Sequence, residues 1–377
     1  MSWRECKLGD LITLKRGHDL PNAKRVEGDI PVVSSSGITG YHNEAKAAPP
    51  GVVTGRYGTL GEVYFLEKEY WPLNTALYVI DFKDTDPRFS AYILKDTLKL
   101  YKSDKAAVPG VDRNVLHSLK VRAPNRDMQE RIVDILFKYD NLIENNNRRV
   151  ELLEESARQL YKEWFVRFRF PGHEHVTIID GVPEGWCLGT YGDAFRFLGG
   201  FAFKSKAYTD GGKYGIVTIK NVHDSRFVPE CPSRVEQLPD KMKEHCKLST
   251  GDILLSLTGN VGRACIVFGN DYLLNQRVAK ITTKGNATPE FAYWTFTDRG
   301  NQKKIENLAY GVAQLNLSPV KLAAMEFVMP TRTLIEQFSV TTSPIFKQIV
   351  QLNLTNQELA KARDLLLPKL TKGEIAV

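Results

Sequence analysis

The chain has 377 residues, 42% hydrophobic and 25% charged, with a formal net charge of +7 and a pI of about 9.0. That length exceeds one average domain, the composition is globular, and the positive balance makes nucleic acid the leading partner class. No apolar run reaches a membrane span, the N-terminus lacks a signal peptide's apolar core, and five scattered cysteines form no Cys-x-x-Cys pair, so a reducing cytoplasm without disulfides or structural zinc is expected.

In chain order, WRECKLGDLITLKRG from Trp3 opens a segment rich in glycine and short β-like runs such as DIPVVSSS and GEVYFLEK. Residues 54–61, TGRYGTLG, carry glycines at Gly55, Gly58 and Gly61, as a phosphate cradle would. A cradle needs a helix opening directly behind them. The next residues, EVYFLEKEYWPLNTALYVI, read instead as two strands joined by a turn, and no Gly-Lys-Ser/Thr ending is present. The stretch therefore reads as a tight bend. A helix is expected near FSAYILKDTLKLYKS, and KVRAP closes the segment at Pro124.

Ile132, Ile135, Tyr139, Leu142, Asn146, Val150, Leu153, Ala157, Leu160 and Trp164 then recur at steps of three and four. They predict one helix over about 125–165, roughly 60 Å long at about 1.5 Å per residue. FPGHEHVTIIDGVPEGW reads as an exposed connector. His173 and His175 would share a strand face there, but with no third ligand nearby no metal site is expected.

From Trp186 the pattern repeats. Leu8-Gly9-Asp10 and Tyr191-Gly192-Asp193 lie 183 residues apart, as do Gly17 and Gly200. GTLGEVYF and GNVGRACI, with Asn74 and Asn275, lie 201 apart; KVRAP and EFVMP, MQERI and LIEQF lie 206 apart. An ordered repeat with a growing shift is a duplication whose second copy carries small loop insertions. DILLSLTG and VAKITTK read as strands, and PEFAYWTFTDRGNQKKIENL as a helix. A second helical part comes next, over about 332–370. Pro344 predicts a break in it, with Ser343 as N-cap. Ile345, Ile349, Leu352, Leu359 and Leu366 continue a seam to Pro368, and Asn356 sits in it as Asn146 does in the first. Each helix could pack on its own domain, or the two on each other; the length and correspondence of the seams favour an antiparallel pair. The expected fold is α+β, two β-rich domains each followed by a long helix, the helices packed as an antiparallel coiled coil. The boundaries are 1–124, 125–165, 166–185, 186–330 and 331–377.

The reaction motifs of DNA enzymes are missing. Pro49-Pro50 is preceded by Ala48 and followed by Gly51, so no Asn/Asp-Pro-Pro-aromatic methyltransferase motif exists, and Pro239-Asp240 has no Glu-x-Lys after it. Gly-x-Ser-x-Gly and His-Glu-x-x-His are absent too.

Two β-rich modules, each followed by a long helix, resemble the specificity subunit of type I restriction–modification systems. RAPNRDMQERIVDIL resembles that family's strand-end proline and helix start, LLEESARQLYKEWFVRFRFPG the end of its central helix, and GVPEGW the opening of its second recognition domain. The resemblance implies a non-catalytic reader of double-stranded DNA, each module reading half of a bipartite, asymmetric target. It implies helices that set the spacing and dock two modification subunits, with restriction/motor subunits joining. S-adenosylmethionine and ATP are then expected on partner subunits, with no cofactor or metal on this chain and no membrane.

Base reading needs donors such as Arg, Asn and Gln, while Lys, Ser and Thr hold phosphates. Beside the glycine bends the candidates are Arg16, His18, Lys24, Arg25, Ser34, Ser35, Ser36, Arg56, Tyr57 and Arg113 in the first module. In the second they are Lys204, Lys206, Lys220, Asn221, His223, Thr258, Asn260, Arg263, Gln276, Arg277 and Gln314. Asn74 and Asn275 are expected to share a structural hydrogen bond at matched turns. The competing readings are a stand-alone repressor or decoy of the same architecture, a β-rich carbohydrate- or peptide-binding protein, and an enzyme with an unrecognised site.

Overall fold

The computed structural model describes residues 3–56, 61–104, 111–311 and 315–375. It divides into two units, Met1–Ile143 with Glu358–Val377, and Glu144–Gln357. Each unit thus takes one portion of each long helix.

In the first unit, Arg4–Lys7 pairs antiparallel with Lys120–Ala123, closing the two ends of the module on each other. A one-turn helix, Leu8–Leu11, comes directly after; Asp10 accepts from the Lys7 amide at 2.8 Å and caps it. A four-stranded antiparallel sheet runs in the order Thr13–Arg16, Ala76–Asp81, Gly51–Gly55, Val63–Leu66. A second sheet joins Gly37–His42, Ile30–Ser34 and Trp71–Pro72, the last pair parallel with Val32 opposite Trp71. The run 62–80 therefore supplies three strands, not two, because Trp71–Pro72 leaves for the other sheet. The helix Pro87–Asp104 covers the first sheet, and its Phe89 and Leu94 share a core with Leu8, Leu11, Val52, Ile132 and Leu136, closed by Leu367 and Leu370. Full burial of each such side chain stabilises by roughly 1.5–3 kcal/mol.

The second unit repeats this frame. Cys187–Thr190 pairs with Glu326–Met329, and Asp193 caps the turn Tyr191–Ala194 by accepting from the Thr190 amide at 2.7 Å. Its first sheet runs Phe195–Gly199, Val278–Thr283, Ile253–Ser256, Ala264–Ile266. Its second has the same parallel pair, Ile216 opposite Leu273 between Tyr214–Val217 and Tyr272–Leu274. The glycines at the first bend are matched physically: a Cβ on Gly17 would lie 2.2 Å from the Leu73 carbonyl oxygen, and one on Gly200 2.3 Å from that of Asn275. The stretch 289–308 forms two helices, Pro289–Thr297 and Arg299–Asn307. Asp298 divides them, extended at ψ 128° and capping the second by accepting from Asn301. The core is aromatic, with Tyr161, Trp164, Phe291 and Phe338 buried together.

Asn74 and Asn275 are not equivalent. Asn74 and Gln276 make the same backbone bond, to the carbonyls of His18 and Phe201, so the true shift there is 202. Their side chains differ accordingly: the Asn74 amide donates to Asp19, whereas Asn275 Oδ1 accepts from the Arg277 amide at 3.2 Å.

The first long helix is Arg126–Tyr161, continued by a π-helical turn, Lys162–Val166, that brings Trp164 and Phe165 into the aromatic core. Buried Gln129 ties its start to the module, donating to the Pro124 carbonyl at 3.0 Å and accepting from the Asp86 amide at 2.8 Å. The second long helix, Arg332–Thr371, runs unbroken through Pro344 and past Pro368. Pro344 is tolerated because it and Val340, whose carbonyl its ring deprives of a partner, share the solvent face; Val340 is 77% exposed. Leu142 leaves the first seam and stands half exposed, Ile143 being the more buried neighbour. In the second unit Asn146 donates to Asn356 at 2.9 Å, while Phe338 lies against Tyr161 and Trp164 at 6.0 and 5.7 Å between ring centres. In the first, Arg363 pairs with Asp140 at 2.5 Å. Among the described residues no helix is long and apolar enough to cross a membrane.

Candidate nucleic-acid interface

In the first module three candidates converge on the segment 72–75. Arg16 Nε donates to the Asn74 carbonyl at 3.3 Å, the His18 amide to Pro72 at 2.8 Å and the Arg56 amide to Thr75 at 3.0 Å. His18 Nε2 lies 3.2 Å from the Tyr78 hydroxyl, with the Trp71 edge beyond. Burial, then Lys15 and Lys46, lowers the His18 pKa and so favours the neutral ring, which both donates and accepts. Val111 donates to the Arg56 carbonyl at 2.9 Å, bringing exposed Arg113, at the start of Arg113–Ser118, towards the same ridge. The other candidates lie on the 3-10 turn Asn22–Lys24 and its C-cap, and on the hairpin of the second sheet. Lys24 is exposed; Arg25 is half-buried and donates to the Thr39 carbonyl at 3.0 Å, pinning the hairpin. Ser34 is buried, its hydroxyl accepting from the Ser36 amide and donating to Gly37, so it builds the turn that carries half-buried Ser35 and exposed Ser36. Tyr57 lies outside the described residues.

In the second module Gln276 and Arg277 are exposed on the equivalent ridge, and the Arg277 carbonyl accepts from Leu257 at 3.0 Å, beside Thr258 and Asn260. Thr258 is buried, whereas Asn260 is exposed. Lys220 and His223 are exposed on the hairpin Val222–His223/Arg226–Phe227 and its approach. Arg263 reaches the hairpin tip, its Nε 3.9 Å from Asp224. Asn221, 1% exposed, is committed to the fold: its amide donates to Val228 and Glu230 at 2.8 and 2.9 Å and accepts from Thr218. Lys204 and Lys206 stand apart, exposed around the turn Ser205–Ala207. Gln314 lies outside the described residues.

The repeated frame carries transposed chemistry. Arg56 donates to Thr75 as Leu257 does to Arg277. The arginine thus stands on one strand of this pairing in the first module and on the facing segment in the second.

Residues 1–155 and again 183–333 match the family described as the type I restriction modification DNA specificity domain. This chain belongs to that family. It is 23% identical over 352 residues to the specificity subunit of the type I restriction enzyme HindI of Haemophilus influenzae, covering 76% of each chain. It is 26% identical over 293 residues to the MjaIX specificity subunit of Methanocaldococcus jannaschii, covering 73% of this chain and 65% of that one. Its fold is similar to the crystal structure of a type I restriction–modification S subunit from M. genitalium, with a TM-score of 0.54 and 16% identity over 98% of this chain and 96% of the other. Specificity subunits are non-catalytic components of their complexes, and this chain takes that role with its relatives.

On this specificity-domain protein, three basic residues join the candidate faces without sitting beside a glycine bend. Lys15 precedes Arg16, Lys46 lies 4.9 Å over the Trp71 ring next to His18, and Arg226 pairs across the hairpin with His223. Lys46 is brought there only by its backbone bond to Tyr70, which no local sequence cue marks, whereas Lys15 and Arg226 lie one and three residues from the candidates Arg16 and His223. Among the described residues no group of three or more His, Cys, Asp or Glu side chains is placed to hold a metal.

Proposed function

We propose that the chain is the DNA-recognition subunit of a type I restriction–modification complex, each module reading one half of a bipartite, asymmetric target. The observation that carries this reading is the transposition of arginine between Arg56 and Arg277 on one shared frame. A cofactor site duplicated within a chain would keep its side chains; two readers of different sequences would change them. The exposed and half-buried candidates serve as contacts to bases and phosphates, while buried Ser34 and Asn221 hold turns that present them. Domain limits at 124, 165, 185 and 330 divide readers from spacers. The long helices act as an antiparallel coiled coil with the Asn146–Asn356 pair setting its register, which makes half-site spacing a geometric property of the chain. Two modification subunits dock on the helices, restriction/motor subunits join them, and those partners carry S-adenosylmethionine and ATP in the cytoplasm. Methylation-sensitive sequencing of DNA from cells expressing the complex tests the reading. A bipartite methylated-adenine motif that disappears when this chain is deleted supports it; methylation that is independent of the chain overturns it.

A further inference from the structure

The hairpin Val222–His223/Arg226–Phe227 contains only two residue pairs, His223 opposite Arg226 and Val222 opposite Phe227. Two strands of that length are not stable by themselves, so contacts from elsewhere must fix the hairpin. Its tip is Asp224–Ser225, with Ser225 in the left-handed region at φ 53°. The Ser225 amide donates to Ala264 at 2.9 Å, and Gln302 and Arg263 approach Asp224 at 3.3 and 3.9 Å. One further anchor comes from the long helix: Arg158 donates to the Ser225 hydroxyl at 3.1 Å.

Arg158 is itself held on two sides. One terminal nitrogen lies 2.9 Å from Glu155, and the other, which bonds Ser225, lies 3.4 Å from Glu154. Glu154 is buried and accepts from the hydroxyl of fully buried Tyr293, in Pro289–Thr297. On its open side the tip borders a cavity of about 420 Å³ lined by Arg158, Ser225, Thr297, Arg299 and Gln302 among others. A guanidinium bridges three acceptors in one plane, which a lysine ammonium does not reproduce.

The first unit has a network of the same chemistry, Tyr92–Asp140–Arg363. Arg363, however, turns to Asp364 and makes no hydrogen bond to a reading loop among the described residues. We propose that Arg158 is a positioning residue for the second module alone, fixing through Ser225 the hairpin that presents His223 and the adjoining Arg263 to DNA. This rests on the DNA-reading function proposed above.

The test uses the full chain assembled with its modification subunits, on the target found by methylation sequencing. Methylation rates are compared between the cognate duplex and duplexes altered in one half-site or the other. Ser225→Ala and Arg158→Lys should each lower discrimination about five- to tenfold at one half-site, the same half that His223→Ala disturbs, and leave the other half in place, with the melting temperature lowered by no more than a few degrees. In an Arg158→Ala background, Ser225→Ala should have no additional effect. Equal loss at both halves, additive effects, or undiminished discrimination would overturn the proposal. A wild-type complex without any sequence-dependent methylation would instead overturn the DNA-reading function on which it rests.

Discussion

Glu154 makes the stability of the second unit depend on pH in a sign opposite to that of an ordinary paired carboxylate. It is 4% exposed, and burial raises its pKa from 4.5 to about 7. The Tyr293 hydroxyl, Arg158 and Ser225 pull the other way, and the buried Cys265 thiol also faces it. Burial wins because the Arg158 contact is long, at 3.4 Å, and its guanidinium is shared with Glu155 and Ser225. A folded-state pKa above the unfolded one means that folding takes up a proton. The contribution is therefore complete below about pH 4.5 and lost as pH rises through 7. At about 1.4 kcal/mol per unit, the loss between pH 5 and pH 8 is about 2–3 kcal/mol. Glu154→Gln removes this titration and leaves every other group in place. Urea midpoints of wild type and variant, taken from pH 5 to pH 8, should converge or cross, the variant gaining about 2–3 kcal/mol relative to wild type at the alkaline end. Parallel curves would show that Glu154 is an ordinary ionised partner of Arg158, and the desolvation argument would fail.

Other substitutions probe the frame and the readers. Asn146→Ala removes the donor to Asn356 and should cost about 1–3 kcal/mol in thermal or urea unfolding; an unchanged midpoint would refute a structural asparagine pair. Gly200→Ala places a methyl 2.3 Å from the Asn275 carbonyl oxygen and should destabilise by at least about 1–3 kcal/mol, whereas Gly199→Ala, with nothing within 4 Å, should stay within about 0.5 kcal/mol. Equal melting temperatures for the two variants would remove the close approach as the reason for glycine. Arg56→Ala and Arg277→Ala should each slow methylation of the cognate site about tenfold while co-purification with the modification subunit persists. Both variants disturbing the same half-site would contradict a division of reading between the modules.

The duplication was legible because its markers are residues that physics constrains tightly. Gly17 and Gly200 both face carbonyls, and Asp10 and Asp193 both cap one-turn helices. Helix seams were legible because burial imposes a period, and the seam asparagines do meet. Alignment failed by one residue at Asn74 because the shift grows in the connection between Val63–Leu66 and Trp71–Pro72, where little constrains the sequence. Pro344 misled because the local rule counts a lost hydrogen bond without knowing which face the proline occupies. Among the candidate contacts, Asn221 has the same side chain whether it meets a base or a backbone turn, and only burial separates the two. Arg158 and Ser225 lie 67 residues apart, and no periodicity links them.

The arrangement of the units also sets the order in which they can be completed. The second is continuous from Glu144 to Gln357, but the first needs Glu358 onwards, including Leu367 and Leu370 in its core. A chain emerging from the ribosome therefore holds every residue of its later unit before it holds the last pieces of its earlier one. Domains generally complete themselves in the order they are made. Here the N-terminal reader waits for the final helix turns, and a nascent chain stopped near residue 357 would carry a finished second module beside an open first one.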